Sequence, residues 1–209
     1  MLEGLEARGY APGGGFLSPE GVFYLNIPKN GSTFLSNVLL DNGWEHHCIG
    51  DSSHLIKQAI VVLRDPVERW ISGFATYATS WILGDAYGSD HFVKDFNSLA
   101  ERLIFDNLVF DDHTTPQAEF VDQLPILMQT TYFQLSRDTV NHISQYLGKD
   151  IVVNDVFDNK SENHYDQQQI SKFIRNRLVN RPELVERISE RYINDFNLLD
   201  SVQFYNDAR

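Results

Sequence analysis

Five consecutive apolar residues, Ala59-Ile60-Val61-Val62-Leu63, stop at Arg64-Asp65-Pro66. A short β-branched run closed off by charge reads as a buried strand, the clearest in the chain. Asp65-Pro66 then opens a helix expected to run to about Leu83, with proline at its first position. The same strand–loop–helix order occurs earlier. Val22-Phe23-Tyr24-Leu25-Asn26-Ile27 ends at Pro28, and Phe34, Leu35, Val38 and Leu39 recur at helical spacing between Ser32 and Leu40, until Asn42-Gly43. Further strands are expected at His46–Ile49 and Thr131–Leu135, with a short edge strand at Ile151–Val153. Helices are expected over Phe92–Asn107, Asp138–Leu147, Gln167–Val179 and Pro182–Leu199, with a loop at Asp111–Pro116. Residues 1–20, rich in glycine and holding Pro12 and Pro19, read as an irregular lead-in. Strands alternating with helices predict an α/β fold of three layers around a central parallel sheet. The length of 209 residues favours a single domain, 1–209.

Composition narrows the function classes. The formal charge of −12 repels nucleic acid and anionic membrane surfaces, so neither is an expected partner. No stretch approaches the roughly 20 apolar residues of a membrane span. The opening MLEGLEARGYAPGGG has no basic segment followed by an apolar one, so no signal peptide is expected. One cysteine, Cys48, excludes an internal disulfide and any multi-cysteine metal site. Together these lead to the expectation of a soluble protein in a reducing, cytoplasmic compartment. The charge is uneven: between Leu83 and Thr130 nine acids face only Lys94 and Arg102.

The two loops carry the chemistry. Ile27-Pro28-Lys29-Asn30-Gly31-Ser32-Thr33 joins a buried strand to a helix, the setting an anionic phosphate or sulfate group needs. Amides at a helix N-terminus point at the anion, and the helix dipole favours negative charge there. Gly31 lets the backbone come close, Ser32 and Thr33 add hydroxyl donors, and Lys29 adds a point charge. The loop is not a Walker A loop, because GxxxxGK[ST] is absent and the lysine precedes the glycine. Arg64 leaves the other strand at its carboxyl end, where ligands of parallel sheets sit, and Ser72 follows about two turns into the next helix. Such a pair is suited to a second phosphate.

PKNGSTFL resembles the 5′-phosphosulfate loop of the sulfotransferases that use 3′-phosphoadenosine 5′-phosphosulfate (PAPS), whose pattern is close to PKxGSTxL. RDPVERWISGF resembles their 3′-phosphate loop, RDPxxRxxSxF. The likeness is strongest over residues 22–75. It continues into Asp112-His113-Thr114-Thr115-Pro116-Gln117, which is similar to an HxxPQ element of Golgi carbohydrate sulfotransferases, and into RYINDFNLL, which resembles their terminal helix. These 209 residues hold no counterpart of the membrane anchor of those enzymes and are fewer than is usual for the family, so a soluble member is expected. The resemblance implies the P-loop-NTPase-like sulfotransferase fold, with PAPS as co-substrate, the desulfated nucleotide PAP as product, and no metal. It also implies that Lys29 contacts the bridging oxygen and the phosphosulfate, with the amides of Asn30, Gly31, Ser32 and Thr33 around it. Arg64 and Ser72 would hold the 3′-phosphate.

Sulfuryl transfer from such a donor removes a proton from the acceptor hydroxyl, which calls for a general base. His54 is one candidate, because it follows the second expected strand near the carboxyl edge of the sheet. His113, in the HxxPQ-like loop, is another, and Asp51 a third; the choice among them is open. Arg69 is equally suited to a helix-surface ion pair and to the site. Trp70, Phe74, Tyr77 and Trp81 share one helix face, expected to pack as core rather than to form an aromatic wall beside the cofactor. The acidic middle segment makes a neutral carbohydrate or a phenolic or polyphenolic compound a better acceptor than a polyanion. Two rival readings are a nucleotide kinase-like phosphotransferase and a non-catalytic nucleotide-binding module.

Overall fold

In the computed structural model, residues 14–52, 54–79, 101–154 and 165–205 are described. Five strands pair: β1 (Gly14–Leu17), β2 (Val22–Leu25), β3 (Glu45–Cys48), β4 (Gln58–Leu63) and β5 (Thr130–Gln134). The helices are α1 (Ser32–Asp41), α2 (Ile49–Ser52), α3 (Pro66–Tyr77), α4 (Glu101–Asn107), α5 (Gln117–Val121), α6 (Thr139–Leu147), α7 (Tyr165–Asn180), α8 (Pro182–Arg191) and α9 (Ile193–Ser201). They fall into two compact units. One takes its described residues from Asp65–Pro116 and Asn159–Phe196, the other from Ala11–Arg64, Gln117–Asp158 and Asn197–Arg209.

The second of these contains the whole sheet, in the order β3-β1-β2-β4-β5. β2, β4 and β5 run parallel, Tyr24 facing Ile60 and Val62 facing Phe133. Tyr24, Ile60, Val62 and Phe133 cover one face, packed with Leu35, Val38 and Leu39 of α1 and Val140 and Ile143 of α6. Phe23, Leu25, Val61 and Leu63, which alternate with them, are buried as well. Burial on both faces explains why β2 and the Ala59–Leu63 run of β4 are apolar without interruption.

The sheet is mixed rather than purely parallel, which corrects the expectation. β1 pairs antiparallel with both β2 and β3. Part of the expected irregular lead-in is therefore a strand. Ser18-Pro19-Glu20-Gly21 makes a tight turn, in which Gly21 has a φ of 91° and Ser18 N–H donates to Val22 O at 2.8 Å. Turn residues between two short apolar runs form a hairpin, and the glycines of β1 disguise the first run. The expected edge strand at Ile151–Val153 is not a strand. Asn42 takes the place of a neighbouring strand there: its Nδ2 donates to Val152 O at 2.8 Å and its Oδ1 accepts from Val152 N at 2.9 Å.

The helical unit is organised by α3. Asp65 caps it, accepting from Glu68 N at 2.8 Å, and Pro66 is its first residue. Trp70, Phe74 and Tyr77 are core, as their spacing predicts. Trp70 stacks on Phe74 with centroids 5.4 Å apart, and its indole N–H donates to Leu108 O at 2.8 Å. Ile170 and Ile174 of α7 and Leu184 and Ile188 of α8 complete this core. Trp81, the continuation of α3 towards Leu83 and the first part of the helix expected at Phe92–Asn107 lie outside the described residues. The helix expected over Pro182–Leu199 is broken at Tyr192. That ring is fully buried, and its hydroxyl donates to Thr114 O, which holds the residue out of regular helix. Among the described residues no helix is long and apolar enough to cross a membrane.

A Cβ on Gly73 would lie 2.1 Å from the carbonyl oxygen of His113, so α3 and the 111–116 loop touch backbone to backbone. Alanine favours helix over glycine by about 1 kcal/mol in open surroundings. Here Gly73→Ala is expected to lower stability instead, by about 2 kcal/mol through overpacking. Thermal or urea unfolding checks the sign, and a stabilised variant would contradict this packing.

Candidate functional site

Between β2 and α1 the backbone makes two left-handed turns, at Lys29 (φ 69°) and at Gly31 (φ 75°). Gly31 is the N-cap of α1 and contributes no side-chain cap; its carbonyl accepts the first helical bond, from Leu35 N, at 2.9 Å. The amides of Ser32, Thr33 and Phe34 are therefore the donors a helix start leaves without intrahelical acceptors. Left-handed and helical residues in succession turn neighbouring N–H groups into a concave anion-binding arrangement. Lys29 is half-buried beside it.

Arg64 follows β4 directly, so both loops leave the carboxyl ends of adjacent parallel strands. Arg64 Nη1 donates to the Lys29 carbonyl at 3.0 Å. A second connection runs through Gln117, the first residue of α5. Its Nε2 donates to Arg64 O at 2.8 Å and its Oε1 accepts from Arg64 N at 3.2 Å. The same Oε1 accepts from Asn30 Nδ2 at 3.0 Å, and that Nδ2 also donates to Val62 O at 2.8 Å. Asn30 and Gln117 are fully buried. Lys29, Asn30 and Arg64 are thus tied together by hydrogen bonds, with Gly31, Ser32 and Thr33 following in the same loop. Gln117 was not singled out from the sequence, where its only signal is the proline–glutamine pair of the HxxPQ-like element.

His54 is not near these residues. The chain returns from the end of β3 through α2, and Lys57 N bonds Gly21 O at 2.8 Å before β4 begins. His54 lines an open cleft of about 480 Å³ with Ser18, Gly21, Glu45 and Lys57. That is the amino edge of β2 and β4, the opposite end from Lys29 and Arg64. The expectation that His54 sits at the carboxyl edge fails because α2 and the following turn carry the chain back before residue 54. Asp51 lies in α2.

Ser72 and His113 belong to the helical unit. Ser72 is half-buried in the second turn of α3, its carbonyl accepting from Thr76 Oγ1 at 3.1 Å. Arg69 is wholly buried and so is not a surface ion pair. Its Nη1 donates to Thr115 O at 2.5 Å and its Nη2 to Asp112 O at 3.4 Å, which shapes the loop that carries His113. His113 Nδ1 lies 3.0 Å from carboxylate oxygens of both Asp111 and Asp112. Burial disfavours the imidazolium, but the hydrogen bonds and charges of Asp111 and Asp112 outweigh it and raise the pKa of His113 to about 9. The hydrogen bond to His113 in turn holds the Asp112 carboxyl below its usual range. Ligand atoms of these three residues lie within 4.8 Å of one another, close enough to share a cation. The contacts they make are those of an ion pair with the proton on Nδ1, which a metal would have to displace.

No family model, curated protein or solved structure matches the chain.

The His113 pair has a pH signature. Because its folded pKa is raised, its stabilising contribution is complete below the unfolded value near 6.5 and is lost as pH rises through about 9. Wild-type protein is expected to lose stability across that window, and His113→Gln to lose less. Melting temperatures from pH 6 to 10 test this, and parallel curves for the two proteins would contradict it.

Proposed function

We propose that the chain is a sulfotransferase that moves the sulfuryl group of PAPS to an acceptor hydroxyl. The observation that carries this reading is the tie between its two loops: an uncapped helix N-terminus with Lys29 beside it, bonded to the arginine that ends the neighbouring parallel strand. One loop suits a phosphosulfate and the other a 3′-phosphate, and the two sequence motifs specify that pair of groups. The reading extends to the fold: β2, β4, β5 and their loops correspond to the P-loop-NTPase-like sulfotransferase core, with β1 and β3 as an antiparallel extension.

The acceptor oxygen attacks sulfur in line, the bond from sulfur to the bridging phosphate oxygen breaks, and PAP departs with the electron pair. Negative charge grows on the bridging oxygen, where the Lys29 ammonium and the amides of Gly31, Ser32 and Thr33 stabilise it. The HxxPQ-like motif, rather than any contact, makes His113 the candidate base for the acceptor's proton, and its neutral form is the minority species at pH 7 because of Asp111 and Asp112. By the RDPxxRxxSxF-like motif alone, Arg64 and Ser72 are assigned to the 3′-phosphate. The net charge of −12 favours a neutral sugar or a phenol as acceptor.

A ligand selective for the folded chain raises its stability, by about 2.7 kcal/mol at a hundredfold excess over its dissociation constant. PAP is expected to raise the melting temperature, and ATP, which has no 3′-phosphate, to do so far less. Equal shifts would favour a nucleotide kinase-like protein. Binding of PAP without transfer from labelled PAPS to any sugar or phenol would favour a non-catalytic module.

Lys29→Ala is expected to lower kcat by about a hundredfold to a thousandfold, the usual loss for a donor aimed at transition-state charge. PAP affinity should fall much less, since the charge Lys29 meets develops during the reaction. Turnover within threefold of wild type would remove Lys29 from the mechanism.

A further inference from the structure

The buried amides of Asn30 and Gln117 can be oriented without ambiguity. Gln117 meets both the N–H and the C=O of Arg64, so its oxygen faces the first and its nitrogen the second; exchanging them would set like against like. Gln117 Oε1 then requires a donor from Asn30, so Asn30 presents Nδ2, which also satisfies Val62 O. Asn30 Oδ1 is left buried with no partner among the described residues. The Asn30 side chain is therefore held by the two bonds of its nitrogen, and one of them belongs to Gln117.

These bonds give Gln117 a particular mechanical role. Arg64 Nη1 reaches the Lys29 carbonyl through a long side chain, and such a link tolerates movement between the two backbones. Gln117 instead grips the Arg64 backbone at two points and the loop residue Asn30 at a third, all through one short planar group. We propose that Gln117 is a positioning residue that makes the two loops a single site, so that the two phosphate groups of a nucleoside 3′,5′-bisphosphate bind cooperatively. The proposal rests on the sulfotransferase reading for the identity of that ligand. Gln117 itself touches no reacting atom in it and acts through Asn30 and Arg64.

Cooperation is measured as the amount by which PAP binds more tightly than adenosine 5′-monophosphate and adenosine 3′-monophosphate together predict, relative to adenosine. A monophosphate uses one loop and tolerates displacement of the other, whereas PAP needs both in register. Calorimetry on the full chain is expected to find a bonus for PAP in the wild type. Gln117→Leu should reduce that bonus about tenfold while weakening each monophosphate by less than about threefold, the scale of coupling within one hydrogen-bonded network. Gln117→Glu keeps the acceptors for Asn30 and the Arg64 amide but sets a buried carboxylate oxygen against the Arg64 carbonyl, so the bonus should fall there too. If Gln117→Leu does not fold, Gln117→Glu carries the test, and an undiminished bonus there overturns the proposal. Equal loss for PAP and both monophosphates in Gln117→Leu reduces Gln117 to ordinary structural support and likewise overturns it. Wild-type protein that binds PAP no better than the 5′-monophosphate overturns the cofactor assignment, and this proposal with it.

Discussion

A lysine with a φ of 69° is the constraint around which the anion loop is built. A side chain in the left-handed region costs about 1–2 kcal/mol, because its Cβ crowds the following carbonyl. Nothing in Lys29 itself repays that, so its neighbours must hold the turn. Arg64 does so from the end of β4 by donating to the Lys29 carbonyl, and Asn30 anchors the next residue to Val62 and Gln117. The orphaned Asn30 oxygen adds a further penalty, of about 1–3 kcal/mol for an unmet buried acceptor. A loop that keeps both penalties is one in which many contacts agree on a single conformation. Conformations of that kind collect at binding sites.

The helical unit solves a similar problem with different means. Buried polar groups fix the 111–116 loop. Arg69 holds two of its carbonyls and Tyr192 a third. Thr114 Oγ1 accepts from the amides of Phe110 and Asp111 at 2.8 and 3.1 Å. Gly73 allows α3 to press directly on the loop backbone. The ion pair of His113 with its two aspartates is set on a support whose every member is internally hydrogen-bonded, which is how a half-buried charge cluster avoids an unpaired charge.

Much of this was legible in the residues. The two strand–loop–helix units, the helix start at Asp65-Pro66 and the aromatic face of α3 follow from local patterns that tertiary packing did not override. The misreadings share a cause. His54 was placed by counting strands, but where a chain turns back depends on α2, which has four residues and no periodicity to detect. β1 was hidden because two of its four residues are glycine, which weakens any strand signal. The sequence leaves Arg69 open between a helix-surface ion pair and the site, because helical spacing says which face a residue occupies, not what covers that face. Gln117 and Asn30 were invisible as partners, since hydrogen bonds between residues 87 positions apart leave no trace in local pattern.

The interleaving of the two units bears on how the chain comes to fold. β4 is complete at residue 63, but β5, its parallel neighbour, begins only at Thr130. During synthesis the ribosome emits Asp65–Pro116, much of the helical unit, before the sheet can close, and the later segment Asn159–Phe196 must then join residues made long before. Pairings this distant in sequence close large loops, and folds that depend on them form slowly. Until β5 arrives, β4 presents an open apolar edge, the kind of surface that recruits chaperones and invites pairing with other chains.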